Sequence, residues 1–165
     1  MSNTISSPTL QITFGDDPLV IEEIVHQQSG TVVCTRSEQH FLIRLPLRPS
    51  DPIFLTETSR IERAEESISF RLSDHTGAYV CNVCISAGEH GLAFQAEVAG
   101  AGPIWMLDWM VERLHVDSIV VPGLGGQVLT REMPGDRRMA YKYPFWWNAQ
   151  FALAPLREGE GGLFL

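Results

Sequence analysis

The chain has 165 residues, which fits one domain with room for a sizeable core. A hydrophobic share of 44% and a charged share of 19% belong to a folded chain rather than a disordered one. The net charge of -8 argues against a non-specific nucleic-acid binder, which needs a basic surface to neutralise phosphates, whereas a neutral carbohydrate needs no charge complement.

The dominant period along the chain is two. Leu10–Phe14 alternates, Val20–Val25 alternates in part, and Thr31–Cys34 and Phe41–Leu47 follow in the same style. Ser29-Gly30 and Pro49–Pro52 read as turns between them. Thr56–Glu66, rich in Glu and Arg, reads as a helical turn or a short connector. Ser67–Ser73 is a half-buried strand, with Ile68, Phe70 and Leu72 on one face and Ser67, Ser69, Arg71 and Ser73 on the other. Tyr79–Ile85 and Gly91–Val98 continue the pattern, the latter with Leu92, Phe94, Ala96 and Val98 on one side. Turns at Asp74–Gly77 and Gly88–Gly91 make Ser67–Val98 a three-stranded meander.

After Gly100–Pro103, the segment Ile104–Leu114 carries apolar residues at spacings that suit a helix or a strand; its strand-like neighbours favour the strand. Val116–Val121 is β-branched and meets a Pro122-Gly-Leu-Gly-Gly126 loop. Short strands separated by turns at these intervals predict an all-β fold, an antiparallel β-sandwich, as a single domain over residues 1–165.

Few constellations carry chemistry. Cys81-Asn-Val-Cys84 lies inside a predicted strand, where residues three apart face opposite ways, so it cannot pinch a metal or cycle as a redox pair; with Cys34 it reads as buried apolar packing. The odd cysteine count agrees with a reducing compartment. His75 and His90 fall in turns of one meander, close enough in sequence to meet, but no histidine spacing marks a metal site. Pro122–Gly126 lacks the ending and spacing of a phosphate loop. Asp108, Glu112, Asp117, Glu132 and Asp136 are the carboxylates available for glycosidic acid–base work, none in a distinctive motif. No cofactor is expected.

The strongest functional signal is Tyr143-Pro-Phe-Trp-Trp-Asn-Ala-Gln-Phe151. On a strand, Phe145, Trp147, Ala149 and Phe151 share the core face. Trp146, Asn148 and Gln150 share the other, where an indole plane beside two amides suits the C–H face and hydroxyls of a pyranose. These three are the candidate carbohydrate-binding residues. The alternative is that Trp146 packs on a neighbouring sheet or domain.

Val121-Pro-Gly-Leu-Gly-Gly126, Tyr143-Pro144, Asn148-Ala-Gln-Phe151 and Gly161-Gly-Leu-Phe-Leu165 occur in an order and spacing that resemble the N-terminal β-sandwich of large glycoside hydrolases. The resemblance is to the endo-α-N-acetylgalactosaminidase-like and related groups, and spans Ile119–Leu165. It implies a galactose-mutarotase-like supersandwich, incomplete at its C-terminus, that packs on a following (β/α)8 barrel carrying the catalytic carboxylates. The Asp that follows the family's Gly-Gly-Leu-Tyr-Leu strand has no counterpart here. The apolar run Leu163-Phe-Leu165 at the end reads as a strand that begins as the sequence stops, and so as the front portion of a longer polypeptide.

The expected role is therefore a non-catalytic domain, with carbohydrate and the barrel as partners and neither nucleic acid nor membrane. Alternatives are a free-standing carbohydrate-binding module, or a mutarotase-like enzyme with a histidine and a carboxylate converging on the concave face. The start, Met-Ser-Asn-Thr-Ile-Ser-Ser-Pro, has no basic and apolar leader pattern, so a cytoplasmic location is expected.

Overall fold

The computed structural model describes residues 3–121, 127–130, 153–156 and 162–164. Among them all regular structure is strand, and no helix is long and apolar enough to cross a membrane. The chain divides into two compact units, Met1–Leu114 and His115–Leu165.

The first unit is an antiparallel β-sandwich. One sheet holds β1 (Thr4–Ser6), β2 (Leu10–Phe14), β3 (Val20–His26), β4 (Thr31–Leu45), β5 (Arg48–Leu55) and β10 (Met106–Val111). The other is the row β6 (Glu57–Arg63), β7 (Ser67–Ser73), β8 (Tyr79–Ala87) and β9 (Leu92–Gly100). The spine of the first sheet is β4, 15 residues long, which pairs with β3 through Val20↔Glu38 to His26↔Thr31 and with β5 and β10 through its second half.

The expected alternation decides which faces meet. Ile68, Phe70 and Leu72 on β7 are buried, and so are Cys81, Val83 and Ile85, their direct partners on β8. From the facing sheet come Ile12, Phe14, Ile21, Val33, Phe41 and Ile43, all buried. Phe41 and Phe70 meet edge to face across the gap, ring centroids 6.2 Å apart and planes at 80°, the geometry their ring quadrupoles favour. Each buried large apolar side chain contributes about 1.5–3 kcal/mol of transfer free energy. Polar clasps close the rim: Arg63 Nη2 donates to the carbonyls of Gly15 (3.1 Å) and Asp16 (2.8 Å), and Thr58 Oγ1 donates to Asp17 Oδ1 (3.1 Å).

The 67–98 meander folds as expected, in unbroken register from Ser67↔Ser86 to Ser73↔Val80 and from Tyr79↔Gly100 to Ala87↔Leu92. Residues 104–114 contain a strand, β10, as the pattern favoured. Two readings need correction. Residues 56–66 hold strand β6 rather than a helical turn, because its charged side chains face solvent on a sheet edge. The prolines at 49 and 52 do not make a turn; the chain reverses at Pro46-Leu47, and β5 runs through both prolines. An edge strand tolerates proline where its missing N–H would point to solvent.

The β7–β8 turn is organised by Asp74, buried in the turn. Its carboxylate accepts from the Thr76 hydroxyl, the Thr76 amide (3.1 Å) and the Tyr79 amide (2.8 Å). Gly77 supplies the left-handed φ of 69° that closes the loop. At the same end of the sheet, the Tyr79 ring lies so close to Gly100 that a Cβ there would come within 2.1 Å of Tyr79 Cδ1.

The second unit is a four-stranded antiparallel sheet in the order β12 (Gln127–Thr130), β11 (Ser118–Val121), β13 (Leu153–Pro155), β14 (Gly162–Phe164). β11 falls within the β-branched run 116–121, and β14 within the terminal run that the sequence reads as a strand.

Two outcomes follow. Hydrogen bonds from the Thr76 hydroxyl, then from the Tyr79 amide, hold the Asp74 carboxyl below the usual carboxylate range. Its stabilising contribution is therefore present above about pH 4, the unfolded value, and is lost as pH falls through the lower folded value. Asp74→Asn should lower Tm at pH 7, and the gap to the parent protein should shrink by pH 3; an equal gap at both pH values would refute the assignment. Separately, Gly100→Ala should cost about 1–3 kcal/mol in urea melts by overpacking against Tyr79. In the Tyr79→Ala background the same change should cost much less.

Candidate functional site

The outer face of the β6–β9 sheet of the first unit carries a groove of about 280 Å³. The alternation that buries Ile68, Phe70 and Leu72 necessarily sends Ser69 and Arg71 outward. Register then assembles two rungs. Arg71 lies opposite Asn82, which lies opposite Glu97; Ser69 lies opposite Cys84, which lies opposite Gln95. Partners on such rungs sit about 4.5–5.5 Å apart at Cβ, close enough to act on one ligand. The small side chains of Ser69 and Cys84 give the middle of the groove its depth, while Arg71, Asn82, Gln95 and Glu97 rise around it.

The fourth wall comes from β6 through a bulge. Ser59 pairs with Arg71 and Glu62 with Ser69, so three steps on β6 span two on β7. The extra residue is accommodated with Arg60 at φ 53°, a left-handed conformation that an L side chain rarely adopts. A bulge of this kind re-aims a side chain, and both Arg60 and Glu62 line the groove. Among the described residues neither Arg60 nor Arg71 forms an ion pair; the pairs present are Arg36–Glu22, His40–Glu112, Arg44–Asp108 and His90–Glu89. The groove thus offers two guanidinium groups as donors, two carboxylates as acceptors, and two amides that do both.

The candidate residues from the sequence fare differently. Trp146, Asn148 and Gln150 lie outside the described residues, as do Glu132, Asp136 and the 122–126 loop. Asp108 is engaged by Arg44 Nε at 2.5 Å, and Glu112 by His40 Nε2 at 3.1 Å. That His40–Glu112 contact belongs to the six-stranded sheet, and no histidine lines the groove. His75 and His90 do not meet: they sit in the turns at opposite ends of the nine-residue β8, about 30 Å apart at strand rise.

The two cysteines of the 81–84 motif point to opposite sides, Cys81 into the core and Cys84 to the groove. Burial pushes the Cys81 thiol up to about 11 and raises that of Cys34 as well, so both stay protonated at neutral pH, when a metal would need thiolates. Among the described residues no group of three or more His, Cys, Asp or Glu is placed to hold a metal ion.

Ser69 and Arg71 are outward-facing from the sequence alternation alone, but the groove they belong to is not visible there. Asn82, Gln95 and Glu97 are ordinary surface residues until the register aligns them, and Arg60 is placed by a bulge that has no local sequence mark. Nothing matches the chain in comparisons with protein-family models, curated proteins and solved structures.

If the bulge strains the backbone at Arg60, Arg60→Gly should leave the fold as stable or more stable, by up to about 1 kcal/mol, because glycine adopts positive φ without a Cβ clash. Urea denaturation checks this; a clear loss of stability would mean that the arginine side chain, not the backbone, holds the bulge.

Proposed function

We propose that this chain is the non-catalytic β-sandwich portion of a glycoside hydrolase, packing on a catalytic (β/α)8 barrel and contributing carbohydrate-facing surface. The observation that carries the reading is the groove across β6–β9, where Asn82 and Gln95 stand between two guanidinium groups and two carboxylates. Vicinal sugar hydroxyls both donate and accept, and an array of amides flanked by pure donors and pure acceptors answers both roles. Equal numbers of Arg and Glu leave the wall formally neutral, which suits an uncharged sugar. The motif resemblance over 119–165 supports the same class of parent enzyme.

The proposed role is non-catalytic, in keeping with the lining of the groove: among the described residues it brings no two carboxylates onto neighbouring strands. Glu62 and Glu97 stand on the two edge strands, three strand spacings or about 14 Å apart at the backbone. Glycosidase carboxyl groups stand about 5–9.5 Å apart, closer than the backbone positions from which these two side chains start. Trp146, Asn148 and Gln150 remain a separate candidate carbohydrate-binding surface, outside the described residues.

Binding of neutral oligosaccharides to the purified 165-residue chain tests this by glycan array followed by calorimetry. Asn82→Ala and Gln95→Ala should each weaken binding by about three- to tenfold, the loss of one or two hydrogen bonds. Aryl glycosides should not be turned over. Hydrolysis by the chain would overturn the non-catalytic reading. Binding lost only with Trp146→Ala, and untouched by the groove variants, would move the site to the aromatic segment.

A further inference from the structure

The edges of the first unit are not equally protected. An edge strand exposes unpaired N–H and C=O groups, and folded proteins blunt such edges with charge, proline, bulges or brevity. β1 is three residues long. β5 contains Pro49, Asp51 and Pro52. β6 carries Glu57, Arg60, Glu62 and Arg63 and a bulge. β10 is short and carries Asp108. β9 has none of these devices: it runs nine residues, Leu-Ala-Phe-Gln-Ala-Glu-Val-Ala-Gly, in unbroken register with β8, with one charge and no proline. Among the described residues no strand pairs on its other side, and Ala93 through Glu97 are all exposed.

We propose that β9 pairs with β9 of a second copy of this chain, antiparallel about a two-fold axis through Ala96, joining two four-stranded sheets into one of eight. The strand is self-complementary in this register. Ala96 is its midpoint, so all nine residues overlap. Phe94 then lies opposite Val98 of the second copy, Ala93 opposite its Ala99, and Gln95 opposite its Glu97. Phe94–Val98 stays on the core face, and Gln95–Glu97 and Ala93–Ala99 stay on the groove face, so every pair joins side chains of the same face, as cross-strand pairing requires. Moving the axis to Glu97 would set the two Glu97 carboxylates against each other. Moving it by half a residue would set core-facing side chains opposite groove-facing ones.

Small side chains at 93, 96 and 99 let the backbones approach. Phe94 (38% exposed) and Trp109 (40% exposed), in tilted contact with ring centroids 4.3 Å apart beside this edge, supply apolar area for the second copy to cover. The contact is isologous, so it closes as a dimer rather than growing into a fibre.

Light scattering and sedimentation equilibrium on the 165-residue chain over a concentration series test this, because the readout is mass and is independent of sugar binding. The expected result is a reversible dimer. Gln95→Lys, which sets a cation against Glu97 of the second copy twice per dimer, should tighten it about tenfold. Gln95→Glu, which sets like charges together twice, should weaken it about tenfold. Opposite shifts from one solvent-facing position cannot arise from misfolding. A monomer at every concentration, or a dimer indifferent to both substitutions, would overturn the proposal.

Discussion

The structure of the first unit depends on the burial of one face of β7 and β8 against β4. Phe70 meeting Phe41 is the centre of that contact, and it fixes more than stability. Once Ile68, Phe70 and Leu72 must point inward, a one-residue slip would expose the whole set, so the register of β7 is held by its core face. The outward side chains are then determined without any further choice. The groove is the reverse side of the core: Arg71 and Asn82 are brought together because Leu72 and Cys81, the next residues along each strand's pairing, are buried together.

This explains why the fold was legible in the sequence and the groove was not. Alternation at 67–73 and 92–98 is local, and turn chemistry at Asp74–Gly77 is local, so the meander could be read directly. Which residue of β8 stands beside which residue of β9 depends on register, and the chemistry of the groove arises only there. β6 was misread because its one strongly local feature is charge. On an edge strand with one face in solvent, Glu and Arg at successive positions do not argue against a strand; they protect it. β5 was misread for a related reason, since Pro49 and Pro52 look like a turn until the strand is known to be an edge. The aromatic segment at 143–151, the most conspicuous feature of the sequence, lies outside the described residues, so the groove rests on a different part of the chain.

The groove combines a strained backbone position with unpaired charge. Arg60 adopts a conformation costing roughly 1–2 kcal/mol for an L residue, and Arg71 shares the groove with it without forming an ion pair among the described residues. Two like charges held in one depression, on a bulge that re-aims one of them, do not add to the stability of the sandwich. Their arrangement is what the proposed carbohydrate-facing role asks for, with Glu62 and Glu97 limiting the net charge.

The same sheet shows how protection and exposure are divided between its two edges. At β6 the bulge and four charged residues block strand addition while supplying one wall of the groove. At β9 the groove residues Gln95 and Glu97 stand on an edge with no such block. Pairing at that edge would leave the groove open, because it uses backbone groups in the plane of the sheet, whereas the groove lies on its face. It would also set Gln95 and Glu97 of each copy directly against Glu97 and Gln95 of the other, making the two grooves continuous across the axis. A single exposed β-edge would thereby turn a short depression on one chain into a longer surface shared by two.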